Sequence, residues 1–289
     1  METASIVIRR YSTSFGLAAR LLATPVRQDV ENIYALVRLA DEVVDGVAAS
    51  AELPAESIAE RLDALETETD RVLECGYSTN LVVHAFGYTA RRVGIGTDLT
   101  APFFASMRAD LSETRHTPES FDRYVYGSAE VVGLMCLAAF LCDNPVSTAE
   151  RERLTDGARH LGAAFQKINF LRDLAADFGA LGRSYFPGVE VGGFTETEKR
   201  RILDDIENDL RIARACLPGL PASSRRAVAL AQGLFEELTE RLRDTPAVVL
   251  ATARIRVPNP VKARIAAGAA LGRLPRLRPR ATHEGDTIE

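Results

Sequence analysis

Apolar residues recur along this chain at steps of three and four, and no convincing stretch alternates apolar and polar with a period of two. Steps of three and four gather side chains on one face of a helix, whereas a half-buried strand needs the two-residue period. The pattern predicts helices over about 4–22, 27–48, 55–74, 78–95, 99–113, 118–141, 147–179, 195–215, 222–243 and 258–272. Pro25, Pro54, Pro118, Asn144-Pro145, Pro187-Gly188, Pro218 to Pro221 and Pro258-Asn259-Pro260 punctuate them. These breaks are short and evenly spread. They predict a single all-α domain over residues 1–273 followed by a basic tail over 274–289. No repeat of solenoid length is present.

Composition narrows the class. The 289 residues are 46% hydrophobic and 26% charged, enough for a sizeable core. No apolar run reaches the roughly 18–20 residues of a membrane span, and no basic stretch followed by an apolar one opens the chain, so a cytoplasmic location is expected. Cys75, Cys136, Cys142 and Cys216 lack metal-ligand spacing and read as reduced thiols. Net charge is −5, yet Thr245 to His283 holds no acid, while Arg254, Arg256, Lys262, Arg264, Arg273, Arg276, Arg278 and Arg280 all fall there. Such a segment suits phosphate, either a ligand's or an anionic membrane's; a solvated, frayed tail is the plainer reading from Arg273 onward. Nucleic acid is not expected, because no binding motif accompanies the charge.

Two helices carry unexpected carboxylates. On the first, Tyr34, Arg38, Asp41 and Asp45 form one stripe at steps of four, three and four, amid Leu36, Val37, Leu39, Val43 and Val44. On the second, Gln166, Asn169, Asp173 and Asp177 form another, flanked by Ile168, Phe170, Leu171 and Leu174. Burying an unpaired carboxylate costs several kcal/mol, so two such stripes suggest a cation held between them. Hard oxygen ligands in twos and threes suit Mg²⁺ shared with a diphosphate, with Arg38, Gln166, Lys167 and Arg172 completing an anion pocket. Ordinary i,i+4 salt bridges on exposed helices explain the same spacings equally well. A di-iron bundle, which needs a Glu-x-x-His edge on each of two helices, is set aside. Nucleophile-elbow, phosphate-loop and dinucleotide fingerprints are absent, so no nicotinamide cofactor is expected.

Four stretches, "YSTSF" (Tyr11–Phe15), "YALVRLADEVVDG" (Tyr34–Gly46), "YVYGSAEVVGLMC" (Tyr124–Cys136) and "FQKINFLRDLAADFGALGRSYFP" (Phe165–Pro187), resemble the squalene/phytoene synthase family, with wording similar to actinobacterial phytoene synthases. The likeness runs in order over roughly residues 8 to 265. It implies an all-α isoprenoid-synthase fold with a central cavity, prenyl diphosphate substrates and Mg²⁺. By motif, Asp41 and Asp45 would form one metal edge and Asn169, Asp173 and Asp177 the other. Arg38, Tyr124, Gln166, Arg172 and Arg254 would hold diphosphate oxygens, Ser12, Ser14 and Phe15 would line the mouth, and Tyr34 would also bind substrate. Gly127, Ser128, Ala129, Val132 and Gly133 would let a prenyl tail pass, or would serve close helix packing. One departure stands out: Phe235 occupies a position where many relatives carry a tyrosine aimed at the diphosphate.

The function implied is head-to-head coupling of two geranylgeranyl diphosphates to phytoene through a cyclopropyl diphosphate. Alternatives are squalene or dehydrosqualene formation from farnesyl diphosphate, prenyl transfer to an aromatic acceptor, and a non-catalytic partner subunit.

Overall fold

The computed structural model describes residues 13–44, 53–181, 184–190 and 193–273. Within them the backbone is helical apart from short connections: α1 Thr13–Ala19, α2 Thr24–Val44, α3 Ala55–Cys75, α4 Leu81–Val93, α5 Thr97–Ser112, α6 Pro118–Val125, α7 Val131–Leu141, α8 Thr148–Leu181, α9 Glu196–Cys216, α10 Ala222–Asp244, α11 Ala247–Leu250 and α12 Asn259–Ala270. No strand occurs among the described residues; Arg115 and Ser184 form one isolated bridge. Every predicted helix is present within a few residues, except that 4–12 and the end of the 27–48 helix lie outside the described residues. The four-residue α11 is too short to leave a periodic signal.

Local chemistry explains the ends. Thr117 and Ser120 cap α6 reciprocally, Thr195 and Glu198 do so for α9, and the Asn80 side chain accepts from the amides of Val82 and Val83. Gly76 and Gly94 close α3 and α4 with φ of 77° and 81°, a left-handed turn that costs glycine nothing.

The helix predicted over 118–141 is broken by a π-helical turn at Tyr126–Glu130. The cause is packing. Gly127 lies so close to α5 that a Cβ there would strike the Pro102 carbonyl and the Ser106 hydroxyl. Ser106 Oγ also donates to the Tyr124 carbonyl at 3.1 Å, just ahead of this turn. By length and composition Pro118–Leu141 could cross a membrane, contrary to the expectation from apolar runs. Its buried residues, including Phe121, Val131 and Met135, instead pack into the core.

One core cluster joins Ile33, Leu36 and Ala40 of α2 to Phe86, Phe103, Phe104 and Met135; another joins Ile168, Leu171 and Leu174 of α8 to Leu203, Ile206 and Leu242. Burying each such large side chain contributes about 1.5–3 kcal/mol. The two aspartate-bearing helices are thus each fixed by their apolar faces, which leaves Tyr34 on one and Gln166 and Asn169 on the other to line a cavity.

Candidate active site

A cavity of about 290 Å³ runs between α1, α2, α7, α8, the end of α9 and the start of α10. At about 10–15 Å³ per water-sized probe, it has room for a long alkyl chain. Its wall on α8 extends from Leu154 to Asn169, about 22 Å at 1.5 Å rise per residue. Val30, Ile33, Tyr34 and Val37 of α2 run alongside. Most of the wall is apolar. Tyr34, Ser128, Gln166 and Asn169 bring polar groups to one end, while Leu22, Phe140, Leu154 and Leu220 line the other.

The carboxylates lie beyond the polar end. Asp41 stands one turn past Val37, and Asp173 one turn past Asn169. Arg38 pairs with Asp41 and Glu42, and burial, which would lower its pKa, is outweighed by these acids, so it rises. Arg172 meets Asp173 through two nitrogens, at 3.0 and 2.5 Å. Arg254 adds Nε at 2.9 Å from Asp173 Oδ1. Asp41, Asp173 and Asn169 are hard oxygen donors of the kind Mg²⁺ takes. Arginines beside them give planar donors suited to diphosphate oxygens. Among the described residues no three His, Cys, Asp or Glu side chains converge on one point. Asp45 and Ser12 lie outside the described residues, as do the side chains of Asp177 and Ser14.

The other expected site residues divide. Phe15, Tyr34, Ser128, Val132, Gln166 and Asn169 all line the cavity. Tyr124 does not. Its ring is buried among Phe170, Tyr185 and His116, and its hydroxyl is 2.8 Å from both oxygens of Asp110. Burial first, then the Asp110 charge, pushes the Tyr124 hydroxyl pKa well up, so it remains a proton-bearing donor committed to Asp110 rather than a diphosphate ligand. Lys167 also turns away: its ammonium lies 2.5 Å from Asp205 and 2.9 Å from Asp209. Of the small residues, Ser128, Ala129, Val132 and Gly133 reach the cavity. A Cβ on Gly133, however, would come 2.5 Å from the Ala158 carbonyl, so this glycine is required by helix contact.

Asp110 escaped the sequence reading, although Phe103, Met107 and Asp110 sit at helical steps on a buried stripe, the same signal that marks Asp41. The Glu-x-x-His spacing also occurs once, at Glu113 and His116. There His116 Nδ1 lies 3.3 Å from Glu113 and 3.2 Å from Ser120 Oγ, and it belongs to the Tyr124 cluster rather than to a second metal edge. Phe165, another cavity-wall residue, was passed over, and Phe235 stacks against it instead of pointing at the carboxylates.

Comparison with known proteins identifies the family and the fold. The squalene/phytoene synthase family model matches residues 8–260. A 15-cis-phytoene synthase of Enterobacter agglomerans is 30% identical over 251 residues, covering 78% of this chain and 80% of its own. A phytoene synthase of Mycobacterium tuberculosis is 28% identical, covering 91% and 88%. The crystal structure of a dehydrosqualene synthase superposes with a TM-score of 0.77 over 94% of this chain and 95% of its own, at 21% identity. The chain is therefore a prenyltransferase belonging to the squalene/phytoene synthase family.

Proposed function

We propose that this enzyme joins two geranylgeranyl diphosphates head to head to give phytoene. The observation that carries the reading is the cavity's polarity: its apolar wall ends at Gln166 and Asn169, with Asp41 and Asp173 one turn beyond the last wall residues of their helices and paired with Arg38, Arg172 and Arg254. The diphosphate group sits at that end and the prenyl chain extends toward Leu154 and Phe140. Arg38, Arg172 and Arg254 bind diphosphate oxygens, and Gln166 orients them. Asp41 and Asp45 on one side, with Asn169, Asp173 and Asp177 on the other, would hold Mg²⁺. Bound there, Mg²⁺ supplies the positive charge that eases departure of a diphosphate.

The C1–O bond of one substrate breaks, and its diphosphate leaves with the electron pair. The allylic cation is captured by the double bond of the second substrate, and proton loss closes a cyclopropane. The second diphosphate then leaves, the cation rearranges, and another proton is lost. Two diphosphates and two protons are released per phytoene. Apolar walls keep water from quenching either cation.

A second reading rests on Phe235. It stands where many relatives carry a tyrosine, and the reading that departure suggests is prenyl transfer to an aromatic acceptor, although the ring itself lies behind the wall. Incubation with C15 and C20 prenyl diphosphates and Mg²⁺, followed by mass spectrometry, decides. A C40 hydrocarbon is the expected product, and C30 from farnesyl diphosphate would move the assignment to squalene-type coupling. Absence of both, together with prenylation of an added aromatic, would replace head-to-head coupling by the second reading.

A further inference from the structure

Three phenylalanines meet beside the polar end of the cavity. Phe165 is a wall residue, adjacent to Gln166 and about one turn below Asn169. Phe235 of α10 is buried and is not part of the wall, yet it stacks on Phe165 with ring centroids 3.9 Å apart and planes 18° from parallel. Phe15, also a wall residue, meets Phe165 edge-on at 5.7 Å and Phe235 at 5.9 Å. One face of the Phe165 ring is covered by Phe235. Phe165 also lines the cavity, so part of its surface borders the space a prenyl chain would fill. Of the four aromatic wall residues, Phe15 and Phe165 meet beside the polar end, whereas Phe140 lies at the far end with Leu154. An aromatic face attracts a cation, more so where water is excluded.

We infer that Phe165 turns the ring face opposite Phe235 to the allylic cation left when the C1–O bond breaks, and that Phe235 is the positioning residue that holds this ring in place by stacking. This rests on the prenyl-diphosphate reading of the cavity but not on which acceptor follows. In the step concerned, both bonding electrons leave with the diphosphate, positive charge spreads over C1 and C3, and no proton moves. The ring forms no bond; it lowers the energy of the charge beside it. The stack also gives the phenylalanine at 235 a purpose. A bare ring covers Phe165 without bringing a hydroxyl that would need a partner in an apolar contact.

The test uses a probe that cannot react. A C20 isoprenoid dimethylammonium and its uncharged carbon isostere are titrated into the enzyme with Mg²⁺ and inorganic pyrophosphate, and the ratio of their affinities is compared across variants. Asp41 and Asp173 attract the ammonium in every variant, so the change in ratio reads the ring. Phe165→Leu should lower the preference for the ammonium about tenfold, which is about 1.4 kcal/mol, while Phe165→Tyr keeps it. Phe235→Leu should lower it severalfold, reducing kcat and leaving KM for geranylgeranyl diphosphate unchanged; Phe235→Tyr should retain it. If Phe165→Leu fails to fold, Phe165→Met replaces the ring with a flexible side chain that fills irregular gaps. An unchanged ratio in the ringless variant, with pyrophosphate affinity intact, overturns the inference. The ratio is measured without turnover, so it stands whether the wild type makes phytoene or prenylates an aromatic.

Discussion

Arg254 Nε lies 2.9 Å from Asp173 Oδ1, although 81 positions separate the two residues in the chain. The contact is made by the acid-free segment after α11, held by Leu250 at the end of that helix and by Val257, both in the core on either side of the arginine. It places a half-exposed positive donor on the aspartate that also holds Arg172. Asp173→Ala and Asp41→Ala should each lower diphosphate release at least about a hundredfold, equivalent to about 2.7 kcal/mol of barrier, while the melting temperature stays within a few degrees. Arg254→Ala should chiefly raise KM. Near wild-type diphosphate release by Asp173→Ala in Mg²⁺ would remove these carboxylates from the chemistry.

Gly133 separates two explanations for the small residues on α7. If its role were to let a prenyl tail pass, alanine would narrow the cavity and leave stability untouched. The Ala158 carbonyl lies 2.5 Å from where the Cβ would stand, so α7 and α8 must shift apart to admit it. Gly133→Ala should cost about 1–3 kcal/mol, read as a lower urea midpoint with the slope unchanged. A variant of wild-type stability would return this glycine to the tail-passage reading.

The helices were legible because each buries one continuous stripe, and a stripe survives in sequence as a period. Asp41 and Asp173 were legible for the converse reason: a carboxylate within an apolar run has to be accounted for. Lys167 was misassigned because nearness in sequence is not nearness on a helix. Gln166, Asn169 and Asp173 follow steps of three and four, whereas Lys167 is rotated about 100° from Gln166 and meets Asp205 and Asp209 on α9. The Phe165–Phe235 stack joins residues on different helices and leaves no periodic trace. The π-helical turn at 126–130 was equally hidden, since it answers to the Pro102 carbonyl on another helix.

The basic tail over 274–289 lies outside the described residues, and membrane contact by it is a proposal that rests on its charge. On an anionic leaflet, Arg276, Arg278 and Arg280, together with Arg273, would each add about 1 kcal/mol of attraction. Deleting residues 274–289 should weaken cosedimentation with phosphatidylserine-containing vesicles and leave detergent-solubilised activity largely unchanged. Equal vesicle binding by both forms would make the tail an ordinary terminus.

Tyr124 and Asp110 form a buried pair that also takes the Tyr185 hydroxyl at 3.3 Å. Removing one partner leaves a desolvated group, at a cost of about 1–3 kcal/mol. Tyr124→Phe and Asp110→Asn should therefore each destabilise the enzyme. The double variant should fall short of the sum by about 0.5–3 kcal/mol. Strict additivity in urea denaturation would mean that the hydrogen bond does not couple them.

His116 packs against the same cluster, with Tyr124 at 5.1 Å and Tyr185 at 5.9 Å between ring centroids. Burial lowers its pKa below the usual 6.5, and the nearby Glu113 carboxylate only partly offsets this. The unfolded chain therefore takes up this proton at higher pH than the folded enzyme. The resulting contribution to stability is fully present above about pH 6.5 and is lost as pH falls from there toward the folded value. Replacing the imidazole by a ring that cannot titrate, His116→Phe, should flatten that part of the stability curve between about pH 7 and 5. Urea midpoints measured across this window for both proteins give the comparison. Parallel curves would show that His116 titrates alike in the folded and unfolded chains.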